Sequence, residues 1–139
     1  MKVLIACGGV KAPHPTSALA LYRGSYFRAC ARWALSVADP ARIYVLSARY
    51  GIVRGASQLA PYDVRIGDPG SVTVDHLARD VARLGLDGAG LLFCGGARYW
   101  HMVRRVLPHA LWVTEAMPAH RRGIGSQLAW FKLNAGGLP

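Results

Sequence analysis

Apolar positions along the chain fall into three short unbroken runs separated by stretches of helical spacing. Lys2 to Cys7 (KVLIAC) is apolar after its first residue and includes the β-branched Val3 and Ile5, the pattern of a strand buried on both faces. Arg42 to Ser47 (RIYVLS) repeats it, and Gly88 to Cys94 (GAGLLFC) leads into a third strand. Between the runs the period changes. Tyr26, Cys30, Trp33 and Val37 share one side of a helix predicted from an N-cap at Ser25 to about Ala38, with Arg28 and Arg32 on another face. Asp39-Pro40 ends it. Leu77, Val81 and Leu84 mark a second helix, capped by Ser71 or Thr73, with Arg79 and Arg83 on another face. A third helix is predicted from about Ala97 to Leu107, where Pro108 stops it, and a last one from Ser126 to about Asn134. Ala110 to Val113 suits a short fourth strand. Residues 48–70 hold Gly51, Gly55, Pro61, Gly67, Pro69 and Gly70, and read as a long, ordered, functional loop without regular structure.

Strand and helix patterns alternate. That predicts an α/β fold: a single domain over residues 1–139, with a mainly parallel central sheet of about four strands flanked by helices and right-handed crossovers. A hydrophobic content of 53% argues against disorder. No apolar run reaches the roughly 18–20 residues of a membrane span, and the first residues are too short a run for a signal peptide. The expectation is a soluble, cytoplasmic protein with no membrane partner.

Charge changes the picture. Seventeen Lys+Arg stand against seven Asp+Glu, a formal net charge of +10, and fourteen of the seventeen are Arg. Arg grips phosphate bidentately and stacks on bases. A basic domain is the footprint of a nucleic-acid binder. The competing account is an Arg-rich codon preference, which the many Ala and Gly also fit. The three cysteines, Cys7, Cys30 and Cys94, form no C-x-x-C pair, and the His residues form no metal motif, so no metal and no cofactor are expected. Cys30 and Cys94 read as buried packing residues. Cys7 reads either as packing or as a site thiol.

Candidate chemistry clusters at predicted strand ends. Two strands run into Cys-Gly-Gly, at Cys7-Gly8-Gly9 and Cys94-Gly95-Gly96. Ligands of open α/β sheets sit beyond the carboxyl ends of strands, and glycines there let backbone N–H groups approach them. Two tight strand-to-helix turns explain the same pattern, and neither segment fits a dinucleotide or P-loop fingerprint. Lys11 follows the first pair and is one of three lysines. Ser47 ends the second strand, ahead of Arg49, Tyr50 and Gly51, with no nucleophile elbow around it. Tyr62-Asp63 sits in the long loop with Arg65 two residues on. Asp63 is the acid best suited to act as general base or to stabilise positive charge on a sugar; an Asx turn or an ion pair is its structural alternative. Tyr22, Tyr26, Tyr50, Tyr62 and Tyr99 lie near loops or helix starts, where rings interleaved with Arg suit unpaired bases, and of the five Tyr26 reads as plain core. His120-Arg121-Arg122 precedes the last helix, and Arg121 is placed to clamp phosphate.

Several of these segments resemble one family. Leu21-Tyr22-Arg23-Gly24-Ser25-Tyr26-Phe27 is similar to the LYxGxxF box of the YaaA-like (peroxide stress protein) superfamily. Tyr44 to Val53 is similar to its ILSAxYGLL signature, and Pro61-Tyr62-Asp63 to its PYD element. Cys7, Lys11 and Pro13 fit the amino-terminal pattern of its small relatives, with Ala6 where Ser is usual. Gly95 to Tyr99, and Gly123-Ile124-Gly125 with Trp130-Phe131, resemble its later elements. The resemblance implies an α/β fold with a positively charged cleft. It also implies nucleic-acid binding, with an activity directed at a base or nucleotide.

Together these readings predict a nucleic-acid- or nucleotide-directed protein, an N-glycosidase in its enzyme version. Asp63 and Ser47 are its candidate catalytic residues. Cys7, Gly8, Gly9, Lys11, Tyr22, Arg49, Tyr50, Gly51, Tyr62, Arg65, Gly95, Gly96, Tyr99 and Arg121 are its candidate binding residues. Tyr50 and Tyr62 are expected to sandwich a single-stranded or flipped base. The alternatives are a DNA- or RNA-binding stress or phage accessory protein without catalysis, and a protein-partner module.

Overall fold

The computed structural model describes residues 1–88, 90–117 and 123–133. Along the chain come β1 (Lys2–Ala6), β2 (Thr16–Ser17), α1 (Ala18–Leu21), α2 (Ser25–Val37), a 3-10 turn (Pro40–Arg42), β3 (Ile43–Ser47), β4 (Gly51–Arg54), β5 (Gln58–Leu59), α3 (Val74–Leu84), β6 (Leu91–Cys94), α4 (Ala97–Val106), β7 (Leu111–Trp112), α5 (Val113–Ala116) and α6 (Ile124–Leu133). The three apolar runs form the middle of one sheet, ordered β4-β3-β1-β6-β7. β1 lies parallel to β3 and β6, and β7 parallel to β6.

Alternation along β1 divides the core in two. Val3 and Ile5 face α2 and α6 and pack with Phe27, Cys30, Trp33 and Phe131. Leu4 and Ala6 face α3 and α4 and pack with Leu77, Val81, Trp100 and Val103. Both faces are covered, so the strand needs apolar residues at every position. Trp33 is among the largest fully buried side chains, and its truncation to Ala would cost about 3–5 kcal/mol. Cys30 and Cys94 are buried as packing residues, and burial pushes the Cys94 thiol well above its usual value. Among the described residues no helix is long and apolar enough to cross a membrane.

The sheet departs from the sequence reading in one respect. It has five strands, and it is mixed because β4 runs antiparallel to β3. β4 lies inside the segment expected to be irregular. Ile52-Val53, the apolar pair between Gly51 and Gly55, is too short a stretch to register alone, and its tertiary partners make the strand. Tyr44 to Ser47 pair with Arg54 to Gly51. On the outer side, the Ile52 N–H donates to Asp80 Oδ2 at 2.9 Å, and Arg83 Nη2 donates to the Ile52 carbonyl at 3.3 Å. Buried Asp80 also pairs with Arg83 at 3.1 Å and His76 at 3.3 Å. Further along, Gln58–Leu59 pairs with Thr16–Ser17 as a separate two-stranded ribbon.

Caps shift slightly. Gly24, not Ser25, is the N-cap of α2, while Thr73 caps α3 by accepting from the His76 N–H at 3.1 Å. Ser71 instead donates to the Asp68 carbonyl and accepts from the Gly67 N–H.

Candidate functional site

β1, β3 and β6 are parallel, so their carboxyl ends, Cys7, Ser47 and Gly95, share one edge of the sheet. Two different arrangements occupy that edge.

The β3 end is closed. Ser47 is completely buried. Its Oγ accepts from the backbone N–H groups of Arg49 (3.2 Å) and Tyr50 (3.0 Å) and donates to the Tyr62 hydroxyl at 2.9 Å. A hydroxyl so committed cannot serve as a reacting group, and Ser47 is a structural residue. Gly51 has φ +81°, and a Cβ there would run into Asp80 and His76. Its glycine is required by the β3–β4 turn. Tyr50 and Tyr62 meet edge to face, ring centroids 5.5 Å apart at 86°. No base fits between them, which overturns the expected sandwich. Tyr50 donates to the Ala60 carbonyl, and Arg49 lies over the Tyr50 ring. Tyr22 is buried behind this corner, its hydroxyl 2.7 Å from that of Tyr62. Burial pushes the Tyr22 phenol up to about 12 and the Tyr62 phenol further. Both are therefore neutral hydrogen-bonding groups at neutral pH.

The β1 end is open. Beyond Ala6 the chain forms one wall of a cleft of about 300 Å³, with Cys7, Gly8, Gly9 and Lys11 on it. The opposite walls come from residues 63–66 and from Arg98 and Tyr99 at the start of α4. Lys11 is set by a bridge to Tyr22, and its ammonium sits 4.4 Å from the centre of the Tyr62 ring. That cation–π contact, worth about 0.5–1 kcal/mol where water reaches it, ties the closed corner to the open cleft. The Cys7 thiol is half-buried, 3.2 Å from the Tyr99 hydroxyl. Burial, with Cys7 beside it, raises the Tyr99 phenol, so that hydroxyl also stays protonated. Arg65 and Arg98 are exposed, and Arg98 Nη2 donates to the Ile66 carbonyl at 3.1 Å. Asp63 is exposed, and no described residue hydrogen-bonds its carboxylate. Three cations and one carboxylate thus line the cleft.

A second hollow of about 370 Å³ shares Cys7, Arg98 and Tyr99 with the first and has Gly95 and Gly96 on its wall. A Cβ on Gly95 would collide with Ala6 and Phe93, and the Gly95 carbonyl accepts from Trp112 Nε1 at 2.9 Å. Packing alone requires that glycine. The structure brings Cys7, Gly8, Gly9, Lys11, Asp63, Arg65 and Tyr99 together around one opening. It places Ser47, Arg49, Tyr50, Gly51 and Tyr22 outside it, with Tyr62 beneath Lys11. Arg121 lies outside the described residues.

Sequence reasoning missed Arg98. The available signal was its position, second in a helix that starts directly after a Gly pair. Among the described residues no group of His, Cys, Asp and Glu could hold a metal ion.

A family model, described as a family of unknown function (DUF6884), matches residues 3–133, which include every wall of both hollows. The chain belongs to the DUF6884 family. No curated protein and no solved structure matches it. What this DUF6884 chain does must be argued from its own site.

Proposed function

We propose that the cleft takes the phosphate of a nucleotide, free or within a single strand, and that Asp63 acts on the attached sugar to cleave its N-glycosidic bond. The observation that carries this reading is the convergence of Lys11, Arg65 and Arg98, with Asp63 as the lone carboxylate, on one cleft at the carboxyl end of β1. Charge-assisted hydrogen bonds from three cations suit a phosphate. The net charge of +10 and the likeness of the Tyr22, Ser47 and Tyr62 segments to YaaA-like proteins support a nucleic-acid or nucleotide ligand. In the reaction the C1′–N bond breaks and its electron pair leaves with the base. Asp63 stabilises the oxocarbenium-like sugar, takes a proton from the water that adds to C1′, and passes it to the departing base.

The exposure of Asp63 favours a second reading, in which the same groups hold the nucleotide without cleaving it. One set of assays separates the two. Nucleoside monophosphates and single-stranded DNA and RNA oligomers are incubated with the protein, and free base is measured by chromatography. Release that Asp63→Asn abolishes, with binding kept, supports the enzyme. Binding that weakens steeply with salt, without release, supports the second reading. No binding at any ionic strength overturns both and leaves a protein partner.

A further inference from the structure

Four charged side chains, Lys11, Asp63, Arg65 and Arg98, crowd the phosphate cleft and suit it poorly to a base. Its neighbour suits one better. The second hollow is lined by Tyr26 and Tyr99 together with Ala6 and Ala97, and Arg98 is its single charged residue. Both rings are held at their hydroxyl ends. Tyr26 donates to Gln127 Oε1, which also accepts from Thr114, and Tyr99 is bonded to Cys7. Cys7, Arg98 and Tyr99 stand on the divide between the hollows, so one ligand can occupy both.

Gly96 supplies an independent observation. It is the N-cap of α4, with φ −79°, a conformation open to any residue, and a Cβ there would meet nothing within 4 Å. Neither strain nor packing requires a glycine. Ser or Asp would cap the helix better. Gly96 is on the wall of the hollow, and a side chain there would enter space that the structure leaves open.

We infer that the hollow between Tyr26 and Tyr99 seats the planar base of the nucleotide whose phosphate the neighbouring cleft holds. This rests on the phosphate-binding reading of the cleft and deepens it. The sugar then lies over the Cys7–Tyr99 divide. Asp63, on the wall of the cleft alone, approaches it from the phosphate side. Tyr26 and Tyr99, in place of Tyr50 and Tyr62, are the aromatic residues of the base site.

Calorimetric titration with 2-deoxyribose 5-phosphate and with the four 2′-deoxynucleoside 5′-monophosphates tests the assignment. The best monophosphate should bind the wild-type protein roughly 5- to 140-fold more tightly than the sugar phosphate, the range that stacking of one base supplies. Gly96→Leu, which fills the hollow, should erase that difference and leave the sugar phosphate affinity where it was. Ala97→Leu, on the same wall, should do likewise, and it carries the test if Gly96→Leu fails to melt as a folded protein. Sugar phosphate binding that Lys11→Gln weakens, with no added affinity from any base or with a difference that both Leu variants leave intact, would overturn the base site while the phosphate cleft stands. If no phosphate-bearing probe binds, the cleft reading fails and takes this inference with it.

Discussion

The carboxyl ends of β3 and β1, on one edge of the sheet, carry similar residue types in sequence and differ in the folded protein. The β3 end offers Ser47, Arg49, Tyr50 and Gly51; the β1 end offers Cys7, Gly8, Gly9 and Lys11. Each joins a reactive side chain, a cation and a glycine. At the β3 end the buried hydroxyl and the turn glycine have both been used. Ser47 satisfies two amides and the Tyr62 hydroxyl, and Gly51 makes room for Asp80. At the β1 end, Gly9 faces open space, and Lys11 lines a cleft with Arg65 and Arg98. Chemistry-bearing residue types in a tight turn therefore mark either a self-satisfied corner or a site. The hydrogen-bond inventory decides which.

The comparison can be broken most directly at Gly51. Gly51→Val combines a left-handed backbone with a collision at Asp80, and should lower the unfolding free energy by about 3–5 kcal/mol in denaturant titrations. A variant as stable as the parent would show that the corner is loose.

The buried phenols come next. Tyr22 ionises near 10 in the unfolded chain and near 12 in the fold, because burial disfavours the phenolate. The unfolded state therefore releases its proton first as pH rises. The stability is fully present below pH 10, falls between pH 10 and about 12, and is flat beyond. Tyr22 alone accounts for a loss of about 2–3 kcal/mol. Phenolate absorbance and loss of helical circular dichroism should rise together above pH 10. Early ionisation of all the phenols in a folded protein would mean that water reaches the corner.

Ser47→Ala leaves two amides and a phenol short of a partner, and should cost about 2 kcal/mol in the same denaturant titrations. The smallest stability effects belong to the open end. Lys11→Gln should change unfolding by no more than about 1 kcal/mol, the worth of its contact with the Tyr62 ring, and Arg65→Gln by less than about 0.5 kcal/mol, while each weakens binding of 2-deoxyribose 5-phosphate by about tenfold or more. A Lys11 variant as destabilised as the Ser47 variant would erase the distinction between the two ends.

The layers of the fold were legible because burial leaves a local trace. β1, β3 and β6 are unbroken apolar runs, and α2, α3 and α4 carry apolar stripes facing them. β4 left no such trace, since pairing with β3 and two side chains from α3 define it. The site was legible in half. Cys7, Lys11, Asp63, Arg65 and Tyr99 line one cleft. Ser47, Tyr50 and Gly51 were chosen on residue type, and type cannot reveal that a hydroxyl is spoken for. Arg98 was not among the residues singled out. Its position at the junction of both hollows depends on Cys7 and residues 63–66, which other parts of the chain bring beside it.

One pairing has a consequence for how the chain behaves in company. The outward peptide groups of Ile52, on the rim strand β4, are both occupied by α3, the amide by Asp80 and the carbonyl by Arg83. An incoming extended segment finds no donor or acceptor there, so this rim is plugged against growth of the sheet from one molecule into the next. A neutral, shorter side chain at position 80 would uncover a template for fibrous stacking.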